Sequence, residues 1–419
     1  MTDQRIRRSV SPVPAGRKPA GAGARFPAPA GLVVIGLATL GAAPLNAQAP
    51  IGAPDTVYPE DFGSIQTVRE LADGRVLVAD PLSRALYAVD MDAGSRTVVG
   101  RQGQGPDEYM QPDAVWPLPG DSTLLVDLGN GRLVAMGPDL SFGPTMPIAA
   151  GDPRPGQGAA FSLALPQAVD GAGRLYARAL GMGGGPGGAL PDSGAVLRIE
   201  RGSRATDTAA VVKLQERISR TSGGANDRNV SIEGVPLSPE DAWGVASDGA
   251  VVVARAGEAR VEWIEPSGRV VRGPAVPGDP VRIGTDEKEE WLRDQSRSGG
   301  GVAVMMQIEN GAISTNLSRG GAAGVRAREI DQYTWPDRAP AFRAGRIPVD
   351  PLGRAWVARH VPAGRASVYD VFDRAGARVG SFELASGTRV VGFGASSMYV
   401  VSYDDFDLNY LERYPLPRQ

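Results

Sequence analysis

The stretch Leu71–Asp90 reads LADGRVLVADPLSRALYAVD. Asp73-Gly74 makes an entry turn, and Val76, Leu77, Val78 and Ala79 form a mostly apolar strand. Asp80-Pro81 ends that strand, and Ala85–Val89 starts the next. The pattern returns at Leu118–Asp139, LPGDSTLLVDLGNGRLVAMGPD, where Asp127 stands in the place of Asp80 and Asn130-Gly131 supplies a hairpin turn. One such hairpin cannot bury its apolar face alone. A recurrence about every 40–50 residues therefore implies units that pack on one another.

Four further copies follow: VDGAGRLYAR at Val169–Arg178, ASDGAVVVAR at Ala246–Arg255, IPVDPLGRAWVAR at Ile347–Arg359 and GFGASSMYVVS at Gly392–Ser402. The matching positions are Asp80, Asp127, Arg178, Arg255, Arg359 and Ser402, separated by 47, 51, 77, 104 and 43 residues. Six anchors imply six sheets. Radial arrangement of such sheets avoids long bare edges, so the fold expected is all-β, a six-bladed β-propeller. Nearly continuous apolar strands suit sheets covered on both faces.

The two stretched intervals hold insertions. Ser219–Asn229 is polar and reads as a loop. TDEKEEWLRDQSR, Thr285–Arg297, reads as a short helix between blades four and five, capped by Thr285, with Asp286, Glu287, Glu289 and Glu290 near its positive end. An alternative is a degenerate seventh blade within Val302–Ile330, made from VAVMMQI and VRAREI. Ring closure is expected to pair Ser64–Arg69 with Asn409–Tyr414.

The chain has 419 residues, 42% of them apolar, with 56 Gly and 35 Pro to serve many tight turns. It has no cysteine, which excludes disulfides, thiolate catalysis and cysteine-held zinc or iron–sulfur clusters. The first 49 residues carry six basic groups and one acid, then the apolar run Leu32–Leu40 and Ala47-Gln48-Ala49, the layout of a secretory signal. The apolar run is too short to span a membrane comfortably. Without this leader 38 basic and 46 acidic residues remain, a net of −8, which argues against a nucleic-acid partner. The expected organisation is a leader at 1–49, a linker at 50–60 and one propeller domain at 61–416 with its helical insertion about 285–297. The expected location is periplasmic or extracellular, with a mature domain that does not span the membrane.

Gly100-Arg101-Gln102-Gly103-Gln104-Gly105-Pro106-Asp107-Glu108-Tyr109 is not a dinucleotide loop, because prolines 106, 112, 117 and 119 and another hairpin follow it instead of a helix. It reads as a crossover between blades, with Tyr109 packed beneath. Together with the strands ending at Asp80 and Asp127 and with Asp350–Val357, it resembles the NHL-like six-bladed propellers, a group that includes secreted bacterial proteins of unassigned function. The resemblance runs from about Asp61 to Tyr414. Position 107 is Asp where that family prefers Gly, and Tyr109 replaces Phe. Some distant propeller relatives are lyases or lactonases with a divalent metal at the channel.

Chemistry is sparse. The single histidine, His360, follows the blade-five strand beside Val361-Pro362 and reads as a surface turn residue. There is no G-x-S-x-G elbow. In a propeller the anchors gather at one channel mouth, so Asp80 and Asp127 on one side and Arg178, Arg255 and Arg359 on the other could bind a small anionic or zwitterionic ligand. The competing reading has the aspartates accept N–H bonds in their own turns and the arginines pair with neighbouring acids. Asp404, Asp405, Asp407 and Asn409 are closely spaced oxygen ligands that could hold Ca2+ or Mg2+ with help from other loops; no other cofactor is expected. Tyr333, Trp335 and Trp356 could stack on a sugar, although Trp356 sits within a strand. Trp291 and Leu292 give the helix an apolar patch suited to an envelope protein partner. The function expected is a non-catalytic module that binds a ligand or protein at its channel mouth. The alternative is a lactonase-like, metal-dependent hydrolase or lyase with carboxylate and asparagine ligands.

Overall fold

The computed structural model describes residues 49–150, 162–179, 190–222, 229–278, 280–298, 300–309, 312–319 and 330–417. The leader expected at 1–49 lies almost wholly outside them. All of the structure below belongs to the unit Pro44–Gln419.

That unit is a six-bladed β-propeller. Blade one comprises Val68–Glu70, Val76–Asp80, Ala85–Asp90 and Ser95–Val98. Blade two comprises Pro112–Pro117, Thr123–Asp127, Arg132–Met136 and Phe142–Pro147. Blade three is Ala168–Val169, Leu175–Arg178, Ser193–Ile199 and Thr206–Lys213. Blade four is Ala242–Val245, Val251–Arg255, Arg260–Ile264 and Val270–Ala275. Blade five has Ala355–Ala358, Ser367–Phe372 and Arg378–Leu384, with an inner segment bridged at Val349 to Ala355. Blade six has Arg389–Phe393, Ser397–Tyr403 and Asn409–Pro415.

The N-terminal segment closes the ring. Thr56–Val57 pairs antiparallel with Asn409–Pro415 as the outermost strand of blade six, and Ala49–Pro50 adds in parallel to Arg378–Leu384 of blade five. This corrects two expectations. Residues 50–60 are not a linker throughout, and Ser64–Arg69 does not close the ring, because Val68–Glu70 is already the innermost strand of blade one. A propeller can be closed by either end of a blade. The two-residue Thr56–Val57 is too short to give an alternating pattern by which a sequence would mark it.

Six hydrophobic clusters fill the six interfaces between blades. Successive residues of one strand serve opposite neighbours. Val76 and Val78 pack toward blade six with Val391, Tyr399 and Leu411, whereas Leu77 and Ala79 pack toward blade two with Val115, Leu125 and Val134. The period-2 alternation is therefore present, but both faces are dry, and it vanishes from the hydropathy pattern.

The crossover is a small parallel pairing of Arg101–Gln102 with Glu108–Tyr109. Tyr109 is buried, its hydroxyl accepts the Leu86 N–H at 3.1 Å, and its ring stacks on Phe142. Asp107 adopts φ +57°, in the left-handed region that favours glycine. The Glu108 side chain fills the space where a side chain at Gly103 would stand.

The intervals between anchors resolve differently from the sequence reading. Arg217–Ser222 pairs with Asn229–Gly234 as an extra hairpin rather than a plain loop. The helix α1 spans Thr285–Arg297 as expected, but its cap is Gly284, whose N–H donates to the Glu287 carboxylate at 2.9 Å, so Thr285 is the first helical residue. Val302–Glu309 pairs with Ala312–Arg319 in a two-stranded hairpin, which removes the seventh-blade alternative for VAVMMQI. Apart from Ile330, its other half, VRAREI, lies outside the described residues.

Candidate functional site

The second strand of every blade runs in the same sense, so the loops that follow all open on one face of the ring. The insertion lies across this face. The Ser298 carbonyl at the end of α1 accepts from Gln66 Nε2 at 2.9 Å in blade one, Arg319 pairs with Asp113 of blade two, Glu290 accepts the Gly364 N–H at 2.7 Å from blade five, and Arg297 pairs with Asp407 at 2.7 Å in blade six.

Beneath it is a cavity of about 700 Å³ along the ring axis. Its wall includes inner-strand residues such as Thr67, Asp113, Trp116 and Val390, and the insertion contributes Asp294, Ser298 and Arg319. Among the described residues the wall carries six arginines (Arg178, Arg319, Arg343, Arg346, Arg359 and Arg389) but only two carboxylates, Asp113 and Asp294.

Four of these arginines have an acid. Arg319 pairs with Asp113, Arg343 with Asp294 at 2.5 Å, Arg178 with Glu240 at 2.5 Å, and Arg359 lies 3.6 Å from the buried Asp370. Burial works against the Arg343 charge, but Asp294 outweighs it and the pKa rises. Arg346 and Arg389 have no carboxylate partner among the described residues. Arg346 donates to the Val391 carbonyl at 2.8 Å and lies over the Trp116 ring at 5.4 Å. Arg389 donates to the Tyr403 hydroxyl at 2.9 Å and to the Ile65 carbonyl. Burial, and then the charge of Arg389, push the Arg346 guanidinium down to about 10.

Backbone geometry holds this pair in place. The Arg346 segment runs parallel to the inner strand of blade four: Trp243 N–H donates to the Gly345 carbonyl at 3.1 Å, and Ile347 N–H donates to the Trp243 carbonyl at 2.8 Å. Gly244 permits the approach, since a side chain there would meet the Ile347 carbonyl. Arg389 opens the inner strand of blade six, where the neighbouring Val390 N–H donates to the Tyr369 hydroxyl at 3.0 Å.

The residues expected at the mouth divide. Arg178 and Arg359 line the cavity; Asp80, Asp127 and Arg255 are not among its described lining residues. Asp80 accepts the N–H groups of Gly63, Ser64, Leu82 and Ser83, with Gly63 at 2.7 Å. Asp127 accepts those of Met110 and Gln111 at 3.0 and 3.1 Å, plus Asn130 Nδ2 at 2.7 Å and Arg132 Nε at 3.2 Å. Both are turn-locking carboxylates, so the local reading holds for them. Arg255 is tied between Asp241 at 2.8 Å and Glu262 at 3.0 Å.

Of the expected metal ligands Asp404, Asp405, Asp407 and Asn409, three are engaged by the protein itself. Asp404 accepts the Phe406 and Leu408 N–H groups at 2.9 and 3.0 Å, Asp407 is paired with Arg297, and the buried Asn409 donates to the Gly63 carbonyl at 3.3 Å. Among the described residues no group of three or more His, Asp or Glu side chains could hold a metal ion. The expected sugar-stacking set also separates. Tyr333 and Trp335 pack with Trp291 of α1 at 5.3 and 5.5 Å, while Trp356 is core, stacked on Phe382 and bonded to Asp350 at 2.9 Å. His360 is not a free surface residue. Its Nδ1 lies 2.8 Å from the Pro340 carbonyl, and burial, aided by Arg343, pushes its pKa down to about 4.

Sequence reasoning missed Arg319, Arg343, Arg346 and Arg389. One signal was present: Arg389 stands where an inner strand begins. Arg346 could have been found by the same rule, directly before IPVDPLGRAWVAR.

No family model matches the chain, and no curated protein matches it. Solved structures do. A putative exported protein from Bacteroides fragilis is 9% identical with a TM-score of 0.41, covering 89% of this chain and 95% of that one. The calcium-binding protein regucalcin from Agrobacterium tumefaciens is 13% identical with a TM-score of 0.37, covering 89% and 100%. Virginiamycin B lyase from Staphylococcus aureus is 10% identical with a TM-score of 0.37, covering 86% and 98%. At such identities nothing those proteins bind or catalyse transfers to this chain. Among the described residues no helix is long and apolar enough to cross a membrane.

Proposed function

We propose that this propeller is a non-catalytic module that binds a small anionic ligand in its capped central cavity. One observation carries the reading: Arg346 and Arg389 face a shared cavity without a carboxylate between them, at a cost in desolvation that a bound anion would offset. The expectation of an anion at the mouth is kept, but the ligand moves inward from Asp80 and Asp127 to the inner strands. His360 takes no part, being neutral at pH 7 and engaged with the backbone.

The leader layout supports export to the periplasm or beyond, and the crossover Gly100–Tyr109 supports kinship with the NHL-like propellers. The domain is read as the propeller from about 61 to 416 with the N-terminal closing strands added, and the ligand as its partner in place of an envelope protein.

Thermal-shift titration tests this reading. Benzoate and phosphate are expected to raise Tm in the wild type and to lose that effect in Arg346→Met/Arg389→Met. Stabilisation by Ca2+ or Mg2+ with no response to either anion would overturn it in favour of the metal-dependent alternative.

A further inference from the structure

We infer that the ligand is an organic phosphate monoester, its phosphoryl group held between Arg346 and Arg389. This rests on the anion-binding reading above and adds the identity of the headgroup.

Charge comes first. Among the described residues four of the six arginines in the wall have an acid nearby and two, Arg346 and Arg389, do not, so these two guanidinium charges are left to be matched. A carboxylate or a sulfate ester supplies one charge, whereas a phosphate monoester carries about −1.5 to −2 at pH 7. Position comes next. Arg346 stands just before the inner segment of blade five, and its guanidinium donates at 2.8 Å to the Val391 carbonyl on the same inner strand of blade six that Arg389 opens, so both line one stretch of the cavity wall. One doubly charged group serves such a pair better than two separated carboxylates.

Donor count agrees. A guanidinium has five N–H groups and no acceptor. The hydrogen bonds described above use one N–H of Arg346 and two of Arg389. The remaining donors call for a group that only accepts, in numbers that three phosphoryl oxygens can meet. Finally, about 700 Å³ is far more than an inorganic ion fills, and it lies within the range of organic ligand pockets. Trp116, Val126, Leu165, Pro348 and Tyr369 give the wall apolar surface for the rest of the molecule.

Isothermal titration with phenyl phosphate, phenyl sulfate and inorganic phosphate tests the inference. Phenyl phosphate is expected to bind at least tenfold more tightly than either of the others at pH 8. It is expected to weaken about tenfold by pH 5, as its second proton returns with a pKa near 6, while phenyl sulfate does not change. Arg346→Met and Arg389→Met should each weaken phenyl phosphate tenfold or more and flatten its pH profile, and their melting curves serve as the check on folding. Equal binding of phenyl phosphate and phenyl sulfate, with no pH dependence, would overturn the headgroup and leave the anion reading standing. Equal binding of inorganic phosphate would overturn the organic body. No binding by any of the three would sink both readings.

Discussion

Arg346→Met should make the empty protein more stable and the loaded protein less so. The guanidinium of Arg346 is pushed down to about 10, which is on the order of 3 kcal/mol against its charged form. At neutral pH folded and unfolded chains are both protonated there, so the penalty stands in full. Solvent in the cavity screens part of it, and about 2 kcal/mol is a fair working value. Methionine keeps the apolar stem. It forfeits the position over Trp116, worth about 0.5–1 kcal/mol, and part of a hydrogen bond to the Val391 carbonyl, about 0.5 kcal/mol. The balance favours the variant by about 0.5–1 kcal/mol, or roughly 1 °C in Tm for a domain of this size. Adding phenyl phosphate at one hundred times its Kd stabilises the wild type by about 2.7 kcal/mol, so the order of the two proteins should reverse. Differential scanning calorimetry with and without the ester reads this directly. A variant that melts below the wild type in both conditions would show that Arg346 serves the fold, and the argument from its unpaired charge would collapse.

Other expectations follow from the same contacts. Asp127→Ala removes the acceptor for two backbone N–H groups, Asn130 and Arg132 in a buried site, and should cost about 3–5 kcal/mol by urea unfolding while anion affinity in the folded fraction stays unchanged. The single histidine should titrate by NMR near pH 4. Because its folded pKa lies below the unfolded 6.5, its contribution is complete above pH 6.5 and is lost as pH falls toward 4, at up to roughly 1.4 kcal/mol per pH unit; His360→Gln should flatten that slope. Arg319→Met leaves the buried Asp113 without its partner and should speed hydrogen exchange across Val302–Arg319 by tenfold or more. Deleting residues up to 58 bares the edge of Asn409–Pro415 and should lower Tm and produce self-association by light scattering.

The fold was legible because its signal is repeated. Each copy of the turn, the apolar strand and the terminal Asp or Arg is weak alone, but six copies fix the number of blades. The helix was legible from its acidic first turn and the glycines that follow it. Ring closure was not, because Thr56–Val57 gains its partner from a segment some 350 residues away, and no local propensity records such a pairing. At the site, Asp80 and Asp127 drew notice as charged residues at strand ends, yet that position is where a carboxylate can gather the N–H groups of its own turn. Arg346 and Arg389 stand at or just before inner segments, the one local mark they carry, but that mark does not tell a paired arginine from an unpaired one. Only the facing of neighbouring blades reveals that no acid among the described residues accompanies them.

Thr56–Val57 has its partner strand, Asn409–Pro415, some 350 residues further along the chain. A chain made or threaded from its N-terminus keeps the first strand waiting until Asn409–Pro415 appears, so blades one to five can assemble as an open arc but the circle cannot shut early. Closure should therefore be the slow step of folding, and a chain that stops short of residue 409 should remain an arc with a sticky edge. Joining the old ends and cutting in the Asn130-Gly131 turn would make the blade-six pairing local and move the last long-range pairing to Thr123–Asp127 with Arg132–Met136 in blade two, so the seam that limits folding should move with it.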